Sequence, residues 1–255
     1  MNSSDLFRLE GKTALITGSA QGLGREIALG LAQSGCSLVL VDIVDPEETA
    51  RQVGEIGSRS VSVKADISDE AEVEKMVGKA ISEYDRIDIL VNNAGISQLS
   101  YTASEDLPVE EWDKIMSVNL RGTFLCCKHI GKQMIRSGGG SIISISSTAG
   151  MNGIVRAPAY CASKAGIVLL TKSLALEWAR HHIRVNAVAP HYLETELTRG
   201  LRASEKVYDG LVKQIPMRRF AKPTEVVGAV LLLSSPASSY ITGSVVAVDG
   251  GFLAQ

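Results

Sequence analysis

A tyrosine and a lysine lie one helical turn apart in the stretch RAPAYCASKAG, where Tyr160 precedes Lys164 by four residues. Residues i and i+4 share one face of a helix, so the two side chains are expected side by side. A free phenol has a pKa of about 10 and is a poor base at neutral pH, but a neighbouring ammonium favours the phenolate. A phenol tuned in this way can take a proton from an alcohol or give one to a carbonyl. The same spacing also occurs on ordinary helix surfaces, which is the alternative interpretation.

Two serines, Ser146 and Ser147, close the apolar run SIISISS just before that helix. Side chains alternate along a strand, so only one of the two is expected to face the site. A serine hydroxyl at this position can hydrogen-bond a substrate oxygen. The alternative is that the pair only solvates a turn.

A glycine-rich turn, TGSAQGLG, places Gly18, Gly22 and Gly24 between an apolar run and a helical pattern. Glycines permit a tight turn, and the helix N-terminus offers free N–H groups and a positive dipole end to a pyrophosphate. The spacing differs from the G-x-G-x-x-G fingerprint of dinucleotide sites. Its position between the first predicted strand and the first predicted helix is what favours nucleotide binding.

Asp42 ends the second predicted strand, 18 residues after Gly24. A carboxylate at that place can accept hydrogen bonds from the adenosine ribose and would repel a 2′-phosphate. Gln21, inside the glycine turn, brings no positive charge to such a phosphate. Together these residues predict NAD rather than NADP. The alternative for Asp42 is to cap the next helix, but Asp45 followed by Pro46 suits that role better.

Two further strand ends carry candidate residues. After the third strand, Asp66 and Ile67 could flank an adenine, or Asp66 could merely end the strand before a polar turn. After the fourth strand comes NNAG, residues Asn92–Gly95. Its asparagines could be turn formers, or they could tie the strand ends together beneath a cofactor.

Strand patterns alternate with helix patterns along the whole chain. Seven apolar runs, from KTALITG to SVVAVDGG, predict buried strands, and amphipathic stretches separate them. We therefore predict an α/β protein in which residues 1–255 form one Rossmann-type domain, with a doubly wound seven-stranded parallel sheet and helices on both faces. The mixed, charged segment 191–223 is long for a simple connection, and we expect short helices that form a substrate-binding lid.

The composition excludes several classes of protein. The formal net charge is −2 and no block of like charge occurs, so a nucleic-acid-binding surface is not expected. No apolar run approaches the roughly 20 residues of a membrane span, and the N-terminal segment lacks the apolar core of an export signal. The cysteines have no metal-binding spacing, so we expect no metal site and reduced, buried thiols in a cytoplasmic protein. They are Cys36, Cys126, Cys127 and Cys161.

The motifs TGSAQGLG, NNAG, SVN, the strand-end serine, YCASK and VNAVAP occur in this order. In this combination the chain resembles the short-chain dehydrogenase/reductase family, from LEGKTALITG to the final DGG. The resemblance implies a dinucleotide-dependent oxidoreductase that interconverts a secondary alcohol and a ketone by hydride transfer. It also implies that Tyr160 is the general acid/base, and that Lys164 modulates the pKa of Tyr160 and binds the nicotinamide ribose.

Further roles are implied where residues match the family's motifs. Ser147 matches the substrate-orienting serine by its spacing from the tyrosine, whereas Ser146 does not. Asn119, in SVN, matches the asparagine whose backbone distortion holds a proton-relay water; the alternative is an ordinary polar residue inside a helix. Thr195, five residues after Pro190, matches the residue that holds the nicotinamide carboxamide.

One departure from the family lies after the sixth strand: family members have Pro-Gly there, and this chain has Pro190-His191. Because glycine normally permits the turn, the backbone conformation at this position could differ from that of the family. The side chain of His191 could instead project into the substrate pocket. Tyr192 and Leu193 could line the pocket wall. The predicted cofactor-binding residues are Gly18, Gln21, Gly22, Leu23, Gly24, Asp42, Asp66, Ile67, Asn93, Ala94, Gly95, Tyr160, Lys164, Pro190, Leu193 and Thr195.

Within the family the chain is most similar to the sugar-acid branch, of the 2-deoxy-D-gluconate 3-dehydrogenase and gluconate 5-dehydrogenase type. The stretches LGLAQSGCSLVLVDIVDPEET, VRAPAYCASK and VDGGFLAQ carry this similarity. Arg156 lies on the loop before Tyr160, and its forked donors could pair with a substrate carboxylate. The alternative is a solvated loop arginine. A polar lid argues against steroid substrates, which need a larger apolar surface.

Two other functions are alternatives to a sugar-acid dehydrogenase. A 3-oxoacyl-carrier-protein reductase would use NADP and expects a basic residue where Gln21 or Asp42 lies. A non-catalytic dinucleotide-binding sensor predicts loss of the Ser/Tyr/Lys set, and all three residues are present.

The predicted partners are a small-molecule alcohol or ketone and further copies of the chain. The two long helices, Pro108–Ser137 and Ala159–His181, match those that family members pair across dimer interfaces, so a homotetramer is expected.

Overall fold

A parallel sheet of seven strands forms the centre of the computed structural model, which describes residues 6–98 and 102–255. The order across the sheet reverses beside the first strand, so a crevice opens at the carboxyl ends of the first and fourth strands. The strands are β1 (Thr13–Thr17), β2 (Ser37–Asp42), β3 (Ser60–Lys64), β4 (Ile89–Asn92), β5 (Gly140–Ile145), β6 (Ile183–Pro190) and β7 (Val245–Val248), in the order β3-β2-β1-β4-β5-β6-β7.

Helices cover both faces of this sheet. They are α1 (Gly22–Gln33), α2 (Glu47–Glu55), α3 (Glu70–Tyr84), α4 (Val109–Met116), α5 (Thr123–Arg136), α6 (Pro158–Trp178), α7 (Arg199–Arg202), α8 (Glu205–Val212) and α9 (Thr224–Ser234). Alternate residues of a strand face opposite layers, so Ile16 packs with α1, α2 and α9 while Leu15 packs with α3, α5 and α6. Burial on both faces accounts for the continuous apolar runs of the sequence, and the predicted doubly wound α/β fold is confirmed.

The start of α2 differs from the sequence prediction. The helix begins at Glu47, Pro46 occupies the N-cap position and makes no side-chain capping bond, so Asp45 is not the cap. Two glutamates in the first turn, Glu47 and Glu48, stabilise the positive end of this helix instead. The prediction of Asp45 as cap was therefore wrong by one residue.

The long helix predicted over Pro108–Ser137 is continuous but not uniform. α4 runs directly into a π-helical turn, Ser117–Gly122, which runs into α5. A π turn inserts an extra residue and changes which side chains face inward, and such turns occur frequently at functional sites. Asn119 lies in the middle of this turn.

The segment predicted as a lid contains short helices. A 3₁₀ turn (Glu196–Thr198) leads into α7 and α8, and a β-bridge between Leu193 and Ala221 joins the two ends of the segment. Residues 191–223 thus leave the sheet after β6 and return close to their starting point. We refer to them below as the lid.

α6 with the 3₁₀ turn that follows it (Pro158–His181) is long and apolar enough to span a membrane by length and composition, and it is the one described helix that passes this test. The sequence analysis had found no run approaching that length. Packing accounts for part of this composition, because Ile167, Leu174 and Trp178 are buried against the protein interior, whereas Leu169 and Leu176 are exposed. A single helix that passes this test is weak evidence for a membrane span, because core helices also pass it.

Candidate active site

The turn after β1 requires glycine at two positions. Gly18 has a φ of 67°, and a Cβ there would lie 2.8 Å from the Cα of Ala94. A Cβ at Gly24 would collide with the carbonyl oxygen of Gly18. Asn93 holds this turn from the neighbouring strand, since its Nδ2 donates to the carbonyls of Thr17 (3.0 Å) and Gly18 (2.9 Å). The asparagine therefore ties the strand ends together, one of the two roles that the sequence suggested.

The N-terminus of α1 suits a pyrophosphate. Gln21 precedes the helix, is exposed and makes no side-chain capping bond, and the first turn of α1 carries no acidic residue. The amides of this turn are thus left to a ligand, with the positive end of a 12-residue helix behind them. The tight backbone approach at Gly18 and Gly24 adds the close access that a dinucleotide needs. These residues fit the predicted cofactor.

Asp42 faces the same turn from the end of β2. Its Oδ2 accepts a hydrogen bond from the amide of Ala20 (2.9 Å), and its Oδ1 accepts a weaker one from the amide of Val44 (3.3 Å). Asp42 does not cap α2. Its position beside the glycine turn is that of a group that can reach the adenosine ribose.

Arg25 is a residue that the sequence analysis missed. Its Nη2 donates to the carbonyl of Ala20 (2.6 Å) and its Nε donates to Oγ1 of Thr49 (3.2 Å). Ala20 is also the residue whose amide binds Asp42. Arg25 and Asp42 therefore both bind the backbone of the glycine turn, at the carbonyl and at the amide of Ala20. Its place in the first turn of α1, directly after Gly24, was the available signal.

At the end of β3 the structure favours the turn role of Asp66. Its Oδ1 accepts hydrogen bonds from the amide (2.9 Å) and the hydroxyl (2.7 Å) of Ser68. Ile67 is buried and packs closely on Gly122 of the π turn. A contact of either residue with adenine stays a prediction.

Tyr160 and Lys164 lie on α6 as their spacing predicted. The Nζ atom of Lys164 is 5.7 Å from the centroid of the Tyr160 ring, and it donates to the carbonyl of Ile145 at the end of β5 (2.8 Å). Lys164 is 5% exposed, and burial lowers the pKa of its ammonium to about 8. An ammonium whose position is set by a strand-end carbonyl thus stands beside a phenol ring.

Asn119 brings the π turn against the loop after β4. Its Oδ1 accepts from the amide of Ile96 (2.8 Å), and its Nδ2 donates to the carbonyl of Ile96 (3.0 Å) and to Oγ of Ser163 (3.1 Å). A Cβ at Gly95 would lie 3.2 Å from Oδ1 of Asn119 and 3.5 Å from Nζ of Lys164. The motifs NNAG, SVN and YCASK therefore meet at one point. The π turn is the distortion that the resemblance implied at Asn119, while the relay water stays a prediction.

The two strand-end serines have different surroundings. Ser146 is buried and its hydroxyl donates to the carbonyl of Lys164 (2.9 Å), which fastens β5 to α6. Ser147 is partly exposed, and its Oγ accepts from the amide of Ala149 (3.1 Å) at the start of the 3₁₀ turn Thr148–Gly150. One serine is thus structural, and the other keeps its hydroxyl proton for a neighbouring acceptor.

The chain after β6 returns to the nucleotide end. The side chain of Thr195 lies 3.8 Å from the place that a Cβ of Gly22 would take, so the start of the lid covers the glycine turn. Leu193 is buried, and Pro190 ends β6. The side chain of Thr195 thus lies at the glycine turn, while contacts of Leu193 and Pro190 with a cofactor stay predictions.

The predicted substrate residues His191, Tyr192 and Arg156 have three different environments. His191 approaches Oγ1 of Thr148, and Tyr192 stacks on Phe220 of the lid. Arg156 is exposed, with φ of 62°, and only its backbone carbonyl is bound, to Nε2 of Gln98 (3.0 Å), in the contacts seen among the described residues. This is the environment of a solvated loop arginine, and a carboxylate clamp stays a prediction.

A group of metal-ligand type lies elsewhere, on α3 and α5. Ligand atoms of Glu70, Glu74 and His129 lie within 4.8 Å of one another. The two glutamates approach different ring nitrogens of His129, at 3.0 and 3.8 Å, and Glu70 already binds Nζ of Lys128 at 2.6 Å. This arrangement is a network of polar contacts between two helices, made of residue types that also bind metal ions, and the absence of a metal site stays a prediction.

Comparison with known proteins agrees with this geometry. A family model described as enoyl-(acyl carrier protein) reductase matches residues 18–253. A 2-dehydro-3-deoxy-D-gluconate 5-dehydrogenase of Dickeya dadantii is 42% identical, over 98% of each chain. An NAD-dependent glycerol dehydrogenase of Listeria innocua is 41% identical, over 96% of this chain and 95% of its own. The crystal structure of a gluconate 5-dehydrogenase from Burkholderia cenocepacia, in complex with NADP and tartrate, superposes with a TM-score of 0.95 at 35% identity, over 100% of both chains.

Proposed function

The chain belongs to the short-chain dehydrogenase/reductase family and is an oxidoreductase, and from this premise we propose that it oxidises a secondary alcohol of a sugar acid, sugar or polyol with NAD. The observation that carries the proposal is the buried ammonium of Lys164, which lies beside the ring of Tyr160 and next to Gly95 after β4. Names of relatives support the substrate class, since they act on sugar acids or a polyol.

Tyr160 is the proposed general acid/base. Moving a phenol pKa by about 3 units toward neutrality takes about 4 kcal/mol of differential stabilisation. The ammonium of Lys164 contributes to this because its charge favours the phenolate, and its own pKa of about 8 keeps it protonated at neutral pH. In oxidation, Tyr160 takes the proton of the substrate hydroxyl. The bound dinucleotide supplies the chemistry of hydride acceptance.

Ser147 and Asn119 have supporting roles in this proposal. Ser147 donates its hydroxyl proton to the substrate oxygen and so orients the alcohol toward Tyr160. Asn119 holds the loop after β4 at Ile96, next to Lys164, through a two-way hydrogen bond. This places the end of the lysine side chain between the strand ends, where it can also reach a ribose.

The preference for NAD rests on Asp42. Its charge next to the amide of Ala20 repels a 2′-phosphate. Relatives use either dinucleotide, NADP in the Burkholderia structure and NAD in the Listeria enzyme. We propose NAD because Asp42 is the group that faces the glycine turn directly, while Arg25 is already bound to Ala20 and Thr49.

The experiment is an initial-rate panel with purified protein, comparing NAD with NADP. It contains gluconate, 2-deoxygluconate-type acids, glycerol, sorbitol and a 3-hydroxyacyl thioester. NAD-linked turnover of an acid or a polyol supports the proposal. NADP-linked turnover of the thioester alone would point to the 3-oxoacyl reductase, and dinucleotide binding without any turnover would point to a sensor.

Arg156 adds a test of the acid substrate. If its guanidinium pairs with a substrate carboxylate, Arg156→Leu raises the KM for sugar acids and leaves the KM for neutral polyols unchanged. If Arg156→Leu and the wild type had the same KM for every acid tested, the carboxylate clamp would be removed from the proposal. The exposed position of Arg156 leaves it able to reach a ligand over the loop before α6.

We further propose that the protein is a cytoplasmic homotetramer. A groove between the π turn and α6 is lined by Met116, Leu120, Phe124, Gly166 and Leu170, and Phe124 is exposed. Such an apolar surface on the two long helices suits a second copy of the chain. A monomer mass by light scattering would contradict the assembly.

Burial raises the pKa of the Cys36 and Cys127 thiols to about 12, so they are unreactive thiols that suit a reducing compartment.

A further inference from the structure

His191, the residue where the family has glycine, connects three separate segments. It follows the last residue of β6, and its amide donates to the carbonyl of Val248 (3.2 Å) at the end of β7. Its Nδ1 lies 2.7 Å from Oγ1 of Thr148, and its ring stacks on Phe252 near the C-terminus, with centroids 4.0 Å apart. The side chain therefore points away from solvent toward the loop that carries the predicted substrate serine.

The contact with Thr148 reaches Ser147 through one turn of backbone. Thr148 is buried and begins the 3₁₀ turn Thr148–Gly150. Oγ of Ser147 accepts from the amide of Ala149 (3.1 Å), and the carbonyl of Ser147 accepts from the amide of Gly150 (2.9 Å). The same turn that His191 holds therefore sets the direction of the Ser147 hydroxyl.

The ring of His191 also belongs to a continuous row of aromatic side chains. Neighbouring rings lie between 4.0 and 4.9 Å apart, centroid to centroid. The row runs from Phe252 through His191, Tyr192 and Phe220 to Tyr208 on α8. Asp249 fixes its C-terminal end by accepting from the amides of Gly251 and Leu253, on either side of Phe252. The row thus joins the lid to the C-terminal turn, with His191 as the member that also bonds the serine turn.

We propose that His191 is a positioning residue, which holds the Thr148–Gly150 turn through Thr148 and thereby keeps the Ser147 hydroxyl aligned when the aromatic row orders the lid. The proposal deepens, and rests on, the proposed function, because it assumes that Ser147 orients the substrate. A neutral imidazole suits this role, since a hydroxyl can donate to or accept from Nδ1 while the ring stays in an apolar stack. Burial lowers the pKa of His191 to about 4, against a smaller opposing effect of Asp249.

The test uses substitutions that separate the bond from the stack. His191→Phe keeps a ring in the row and removes the bond to Thr148, whereas Thr148→Val removes the partner hydroxyl at nearly constant volume. His191→Asn keeps a polar group near the Nδ1 position without the ring. Thr13→Val is the matched control, because Thr13 is a buried threonine at the start of β1, at the end of the strand that lies away from the glycine turn.

With the substrate that the wild type turns over fastest, each of the two bond-removing variants is expected to lower kcat about tenfold, because small misplacements of a substrate-positioning group are costly. The double variant is expected to be no slower than the slower single one, since both remove the same bond. The KM for the dinucleotide is expected to stay unchanged, and His191→Asn is expected to retain more of kcat than His191→Phe. Multiplied losses in the double variant would overturn the proposal.

Amide hydrogen exchange provides a second measurement that needs no substrate. His191→Phe is expected to speed exchange at Ala149 and Gly150, whose amides bind Ser147, and Thr13→Val is expected not to do so. Unchanged exchange at these two amides would overturn the proposal. If the wild type turned over no alcohol in the panel, the proposed function would fail, and the exchange data alone would decide whether His191 holds the turn.

Discussion

The nucleotide end and the substrate end of the crevice are built in different ways. At the nucleotide end, side chains bind mainly to backbone atoms of β1 and the glycine turn, as Asp42 does to Ala20 and Asn93 does to Thr17 and Gly18. At the substrate end, side chains also bind each other, as His191 meets Thr148 and Asn119 meets Ser163.

This difference affects how the two ends respond to substitution. Contacts to a strand backbone are held in place by the sheet, so a change at one nucleotide-end side chain alters ligand preference more than shape. Contacts between distant segments depend on the packing of α6 and the lid, so changes there also shift neighbouring groups. The substitutions below test this contrast, from the largest expected effect to the smallest.

Tyr160→Phe is expected to have the largest effect. The variant keeps the ring beside Lys164 and loses the hydroxyl, so kcat is expected to fall about 10²- to 10⁴-fold, the usual contribution of a general acid or base. Steady-state rates with saturating dinucleotide measure it, and dinucleotide binding, followed by fluorescence titration, serves as the control and should be unchanged. A kcat within a few-fold of the wild type would remove Tyr160 from the proposed chemistry.

Ser147→Ala and Ser146→Ala form a matched pair in adjacent residues. Ser147→Ala is expected to lower kcat about 10²-fold, because a hydrogen-bond donor to the reacting oxygen is lost. Ser146→Ala leaves the carbonyl of Lys164 without its donor, so it is expected to lower the free energy of unfolding by about 1 kcal/mol with a smaller effect on kcat.

Kinetics and urea unfolding of both serine variants distinguish the two roles. The opposite pattern, with catalysis lost at Ser146 and stability lost at Ser147, would show that the strand presents the other serine to the substrate.

Asp42→Asn tests the nucleotide end. The amide oxygen can still accept from Ala20, but the negative charge that would repel a 2′-phosphate is gone. We expect the ratio of kcat/KM for NADP to that for NAD to rise about tenfold, which corresponds to about 1.4 kcal/mol. The kcat at saturating NAD is expected to change little. An unchanged ratio would mean that Asp42 does not face the 2′ position.

Lys164→Met is followed by stability rather than by rate, as a pH dependence measured without ligand. Burial lowers the pKa of Lys164 to about 8 in the folded protein, whereas an unfolded chain has the ordinary lysine pKa of 10.5. Between these values the unfolded state binds more protons, so the stability of the wild type relative to Lys164→Met rises as the pH increases. Urea unfolding at pH 7.5, 9 and 10.5 measures this difference. Parallel stability curves for the two proteins would contradict the lowered pKa.

Several features of the fold and the site were predictable because they depend on local spacing. The seven strands, the glycine turn and the i, i+4 pair of Tyr160 and Lys164 follow from periodicity within one segment. The start of α2 was not predictable in this way, because Asp45 and Glu47 are both plausible first-turn residues. The choice between them depends on how the chain leaves β2. The apolar composition of α6 likewise combines buried residues such as Ile167 and Leu174 with exposed ones such as Leu169, and a hydropathy average does not distinguish the two.

The sequence by itself determined the doubly wound sheet and the order of motifs along its carboxyl edge, because both follow from residue patterns of short range. Only the tertiary structure decided that Arg25 binds Ala20 and Thr49, that Ser146 rather than Ser147 fastens α6, and that His191 turns toward Thr148. Each of these contacts joins residues whose closeness depends on strand register and helix packing. Such long-range geometry leaves no spacing in the sequence from which it could be inferred.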